Sequence, residues 1–174
     1  MITAGALTAD AAGAMTLDTS VDSADLSTSA AGSISVDETD AITLTDVDTS
    51  NGAITITAGG AITATDVASS TDSDANDITL TGVGIAVTKI DSGSTAGDVV
   101  LDAGTGAITQ DATDDKDDVT ADSLTADAAT GIDLDTTVLS ADLSVSGTGS
   151  IVLDELNAIT LSDLDTTDGS ITVD

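Results

Sequence analysis

The chain has no Phe, Trp, Tyr, His, Cys, Pro or Arg, and its only side-chain cations are Lys89 and Lys116. Each absence excludes something. Without Cys there is neither a disulfide framework nor thiol chemistry, and the redox compartment stays open. Without His, Cys, Arg or Tyr, a Ser or Thr nucleophile has only the two lysines as bases, and neither stands in a catalytic motif. The near-absence of positive charge argues against nucleic acid, whose phosphates need Lys and Arg, and against an anionic membrane surface. No apolar run approaches the roughly 20 residues of a membrane-spanning helix, so no membrane insertion is expected. Met1 leads straight into repeat sequence, so no secretory leader is expected in these residues.

What is present is acid, and nearly all of it is Asp. Acids number 32 in 174 residues, the net charge is −30, and only Glu38 and Glu155 are Glu. Asp is the poorer helix former and the better turn former, because its carboxylate bonds nearby backbone amides. Helix is therefore disfavoured from the start. Ile, Leu and Val supply about 24 % of the chain, above the roughly 20 % below which disorder is the better reading, and they are patterned.

The chain also repeats itself. Residues 2–57 align without a gap on residues 119–174, at an offset of 117, with about 33 of 56 positions identical. The chain 1–174 is read as a single solenoid segment, with 2–118 one full copy and 119–174 a partial second copy. Tandem copies of this kind build stacked arrays.

A shorter signature lies inside the long one: a small or turn residue, then apolar-polar-apolar. It recurs as Gly32-Ser-Ile-Ser-Val36, Asp40-Ala-Ile-Thr-Leu44, Gly52-Ala-Ile-Thr-Ile56 and Gly149-Ser-Ile-Val-Leu153. Such alternation is the period-2 signal of a strand with one buried face. First apolar residues fall at 34, 42, 54 and 62, in steps of 8 and 12. Two tracks follow: Met15, Ile34, Ile54, Ile78, Val99, Val119, Ile132, and Ile42, Ile62, Ile85, Ile108, Leu124, Leu143, Ile159. Each takes six steps over 117 residues. The expectation is an all-β parallel β-helix with about 20 residues per coil and a 117-residue higher-order repeat. About nine coils would rise roughly 43 Å. An antiparallel sandwich also has short strands at this spacing, but it has no reason to keep a coil period. Gln110 stands where an inward apolar residue is expected; either it caps a corner or the register fails there.

The segments GAITITAGGAITATDV (52–67) and GSIVLDELNAITLSDL (149–164) resemble the coil repeats of filamentous-haemagglutinin-like surface adhesins, very large repetitive bacterial cell-surface proteins. The resemblance implies a right-handed β-helix that is exported and serves as a stalk or adhesive fibre. It makes the chain a structural, non-enzymatic segment, extracellular or at the cell surface. Its partners would be further copies of itself end to end, a surface glycan, or a neighbouring cell.

Two features point to ligands. Asp46-Val-Asp48-Thr-Ser-Asn51-Gly52 recurs as Asp163-Leu-Asp165-Thr-Thr-Asp168-Gly169. Alternating oxygen groups ending in Gly suit a hard cation, since Ca²⁺ takes six to eight oxygens and Gly permits the sharp turn. The same residues also suit a plain Asp-rich turn. No cofactor is required by this reading; Ca²⁺ is the one it allows. Asp72, Asp74 and Asp77, and Asp111, Asp114, Asp115, Asp117 and Asp118, lie in two acidic loops, read first as solvated. Thr-x-Thr pairs at 43/45, 55/57, 63/65 and 79/81 project outward. They resemble ice-binding faces, and also satisfy ordinary β-propensity on an exposed strand. The alternative to a spacer is a calcium-dependent or ligand-binding module holding sugar or ice on a Thr/Asp face.

Overall fold

The computed structural model describes residues 1–110 and 118–174. Every strand pairing is parallel, and one 17-stranded sheet winds from Ile2–Ala11 to Ile171–Val173 with no helix among the described residues. The molecule is a β-solenoid of about eight turns, the parallel β-helix expected from the period. At the usual inter-strand spacing it rises about 38 Å, one level short of the nine coils inferred from the sequence.

Each coil has two sides. In the earlier coils side one is a single short strand, such as Ile34–Glu38 or Ile54–Ala58, whereas in the last coils it carries a longer, bulged strand such as Thr160–Asp168. Side two carries two segments joined at a bend, such as Ile62–Ala64 and Val67–Ser69. The steps of 8 and 12 are these two sides. On side one, Met15, Ile34, Ile54, Ile78, Val99, Leu124, Ala141 and Leu161 lie in one register column. On side two, Ile42, Ile62, Ile85, Ile108, Ile132, Ile151 and Ile171 do the same. Past the bend the column is Leu26, Val47, Val67, Ile90, Val119 and Thr136.

These columns correct the sequence tracks. The first track holds to Val99 and then leaves its column, because Val99 pairs with Leu124 and Val119 with Ile90. The second holds to Ile108, which pairs with Ile132. The step from Val99 to Leu124 is 25 residues, which an average period of 19.5 cannot follow. Met15 reaches Leu124 in five coil steps, and Ile132 then lies on the other side. The 117-residue repeat is therefore five coils and a change of side, not six coils.

Burial follows the alternation. Ile34, Ile54, Ile78, Leu80, Leu101 and Ile108 are wholly inside, each contributing about 1.5–3 kcal/mol relative to an exposed side chain. The interior is narrow enough for Ile, Leu, Val and Ala to fill it without an aromatic. At the bend an extra residue is accommodated as a bulge, with a register shift between Ala24 and Asp25 against Leu44 and Asp46. The displaced Thr45 donates its hydroxyl to the Ala24 carbonyl at 2.8 Å. Gln110 sits in register with Val87, so the column holds there. Its Oε1 is buried without a hydrogen-bond partner.

Candidate functional site

Outward positions of a parallel stack form rows, so a chain rich in outward Asp acquires lines of carboxylates. Asp46 pairs with Asp25, and Asp163 with Asp142. Asp48 pairs with Ser27, and Asp165 with Ser144, whose hydroxyl reaches it at 3.4 Å. Burial and the charges of Asp46, Asp66, Asp25 and Asp10 push the Asp48 carboxyl up. Asp98 is pushed up by burial and by Asp77, Asp122 and Asp74, against an opposing hydrogen bond from the Ser123 backbone. Asp127 is pushed up by burial and by Asp102, Asp142 and Asp165. At these three positions burial, joined by the neighbouring carboxylates, opposes ionisation.

The proposed cation ligands fall as follows. Asp46, Asn51, Asp163, Asp165 and Asp168 are exposed, and Asp48 is half-buried. Asn51 is occupied: its Oδ1 accepts the side-chain amide of Asn76 at 2.9 Å. Asn76 is buried and gives its second donor to the Thr71 carbonyl at 2.7 Å. Asp168 pairs with Thr148, and its carbonyl accepts the Gly149 N–H at 3.2 Å. Among the described residues, no three acids are grouped as metal ligands.

The first acidic loop is built rather than loose. The Asp72 carboxylate accepts the Thr95 hydroxyl at 2.5 Å and the N–H groups of Thr95 at 3.1 Å and Gly97 at 3.3 Å. The Thr95 hydroxyl leads in holding this acid below its usual range, with the Gly97, Thr95 and Ala96 amides adding to it. Gly93, at φ +96°, lies where a Cβ would strike the Asp72 side chain. The loops 69–77 and 92–98 are thus pinned together at one corner, where side two returns to side one. Asp111, Asp114, Asp115 and Asp117 lie outside the described residues. Asp118 is buried, which corrects its reading as part of a solvated loop.

The outward Thr pairs form short runs: Thr55 on Thr79 and Thr57 on Thr81, and Thr43 on Thr63. They end at Val100, Asp102 and Ala86. A shallow hollow of about 240 Å³ on side two is lined by Ile62, Thr63, Ile85, Ala86 and Thr109 among others, none of them charged.

Two polar features were not found from the sequence. One is a file of inward hydroxyls past the bend. Thr49 donates to the Gly52 carbonyl at 2.6 Å, Thr28 to Gly32 at 3.1 Å, and Ser92 to Gly97 at 2.9 Å. The other is Glu38, a buried acid that accepts the Val21 N–H at 3.0 Å and the Asp40 N–H at 3.3 Å. Burial opposes its ionisation, but the adjoining Thr19 hydroxyl and the Val21 and Asp40 amides outweigh this and hold it down. The Thr19 hydroxyl lies beside the carboxylate without a well-formed hydrogen bond. Glu155 repeats the arrangement with Val138 at 3.3 Å, Asn157 at 3.1 Å and Thr136 at 2.7 Å. The signal available was that both Glu residues stand 117 apart, each 19 residues after a Thr.

No protein-family model matches the chain, and it has no significant match among curated proteins or solved structures. Nothing in these comparisons links it to filamentous-haemagglutinin-like repeats, so that resemblance rests on the residues that carry it.

Proposed function

We propose that the chain is a non-enzymatic structural segment of an extracellular repetitive stalk, fibre or filament, used in cell–cell or cell–surface attachment. The observation that carries this reading is the unbroken column of aliphatic residues through every level, with acid confined largely to the outside. Each level supports only its neighbours, so strength accumulates along the axis. The charge keeps flanks from aggregating.

Self-association end to end is part of the proposal. Leu44 and Ile54 are wholly buried, whereas Leu161 and Ile171, their counterparts 117 residues on, are 45 % and 43 % exposed. A further level of the same solenoid, from more chain or from a second copy, fits that end, because parallel strand edges and aliphatic side chains both seek it. Sedimentation velocity over a wide concentration range, paired with electron microscopy, tests this. Elongated species that lengthen with concentration are expected; a monomer throughout overturns end-to-end association.

The second reading is a calcium-dependent or ligand-binding solenoid. It is favoured by the crowding around Asp48, where four neighbouring acids oppose ionisation and a divalent cation would relieve them.

A further inference from the structure

We infer that, in an array of the 117-residue unit, successive units present the same surface on opposite sides of the fibre. This rests on the array reading above.

Residues 117 apart occupy different sides of the solenoid. Met15, Ile34 and Ile54 stack on side one; their counterparts Ile132, Ile151 and Ile171 stack on side two. The exchange runs the other way as well. Leu44 lies on side two with Ala64, while its counterpart Leu161 lies on side one with Ala141. Leu26 lies past the bend of side two with Val47, while its counterpart Leu143 lies on side one with Ala126.

The corner chemistry travels with the sequence rather than with the side. Glu38 closes a side-one strand and takes the N–H of Val21, 17 residues earlier. Glu155 closes a side-two segment and takes the N–H of Val138, again 17 residues earlier. Both halves of the coil accept the same inward residues and the same cap. Nothing in the packing therefore forces a unit back to the side of its predecessor.

Two units then return the pattern to its starting side after 234 residues, twice the 117-residue offset, or about eleven coils and roughly 53 Å. Any group fixed on the unit, such as the corner pinned by Asp72, faces one flank in one unit and the opposite flank in the next. A fibre of this form meets two like surfaces, one on each flank. It is suited to bridging them rather than to coating one.

The chain lacks Cys, so paired substitutions read the register directly. Neighbours in a parallel pair lie about 4.8 Å apart, within reach of a disulfide. Three double variants suffice: Thr55→Cys with Thr79→Cys, Thr109→Cys with Asp133→Cys, and Thr120→Cys with Asp133→Cys. The first pair is a register neighbour whether the repeat is five coils and a side change or six coils. The second is a neighbour only when the side changes; the third only when six coils bring 133 back over 120. On mild oxidation the first and second are expected to close and the third to stay reduced. Closure of the third, or failure of the second while the first closes, overturns the inference. Failure of all three overturns it together with the stacking it is built on. Sedimentation reads association separately, so a monomer with the expected disulfides loses the fibre and keeps the side change.

Discussion

Val21 gives its backbone N–H to Glu38 across one full coil at 3.0 Å, tying the end of one level to the strand beneath it. Val138 and Glu155 repeat this one unit later at 3.3 Å. A buried backbone amide left without a partner costs about 1–3 kcal/mol. Glu38→Ala removes the acceptor of both Val21 and Asp40 and is expected to cost about that much or slightly more. Glu155→Ala, in a half-buried setting, is expected to cost less. Urea midpoints by circular dichroism at pH 7 check the order.

Acid should first strengthen and then weaken the fold. Asp48, Asp98 and Asp127 are pushed above 3.8 in the folded chain. The folded state therefore binds protons that the unfolded chain does not, and stability rises as pH falls through their raised range toward 3.8. Glu38 is held below 4.5; its contribution is complete above 4.5 and is lost as pH falls through its depressed folded value. Melting temperature is thus expected to rise from pH 7 into mild acid and to fall again below it. Asp48→Asn should flatten the rise, and Glu38→Gln the fall. Melts between pH 3 and 8 at low salt check both, and a curve that falls monotonically with acid contradicts the raised rows.

Gly52 approaches the level beneath it so closely that an added Cβ would strike the Gly32 backbone, and Gly169 bears the same relation to Gly149. Gly13 has nothing within 4 Å of that position. Gly52→Ala is expected to destabilise by roughly 1–3 kcal/mol through overpacking. Gly13→Ala should be neutral or slightly stabilising through the unfolded chain. Equal effects at the two positions would remove close stacking as the reason for glycine at 52.

If a divalent cation relieves the rows around Asp48, calcium should raise the melting temperature and EDTA reverse the rise, with Asp46→Asn and Asp48→Asn together abolishing it. An unchanged midpoint with EDTA removes structural calcium from the account. A rise matched by NaCl at equal ionic strength marks screening alone.

The period, the alternation and the columns as far as Val99 and Ile108 were legible in the sequence, because inward Ile and outward Thr differ in polarity at every second position. The columns were lost beyond that point for a physical reason. The coil step there is 25 residues from Val99 to Leu124 and 29 from Ile90 to Val119, so a track kept to the average period takes Val119, on side two, as the residue after Val99. Of the candidate ligands, Asp46 and Asp163 were visible as outward acid, but the amide of Asn76 on Asn51 depends on a fold-back 25 residues away. Glu38 and the inward Thr28, Thr49 and Ser92 were hidden because a polarity pattern counts any polar residue as outward. Here carbonyls and amides inside the corners make polar residues welcome.

Because every strand bonds to the coil one winding away, the chain closes segments of no more than 29 residues, the step from Ile90 to Val119, to form its next ladder. The entropy of each closure is nearly the same at every level. Assembly can thus start at any well-formed winding and zip outward, and tension on the two ends would peel windings off singly, each leaving its neighbour as the new rim.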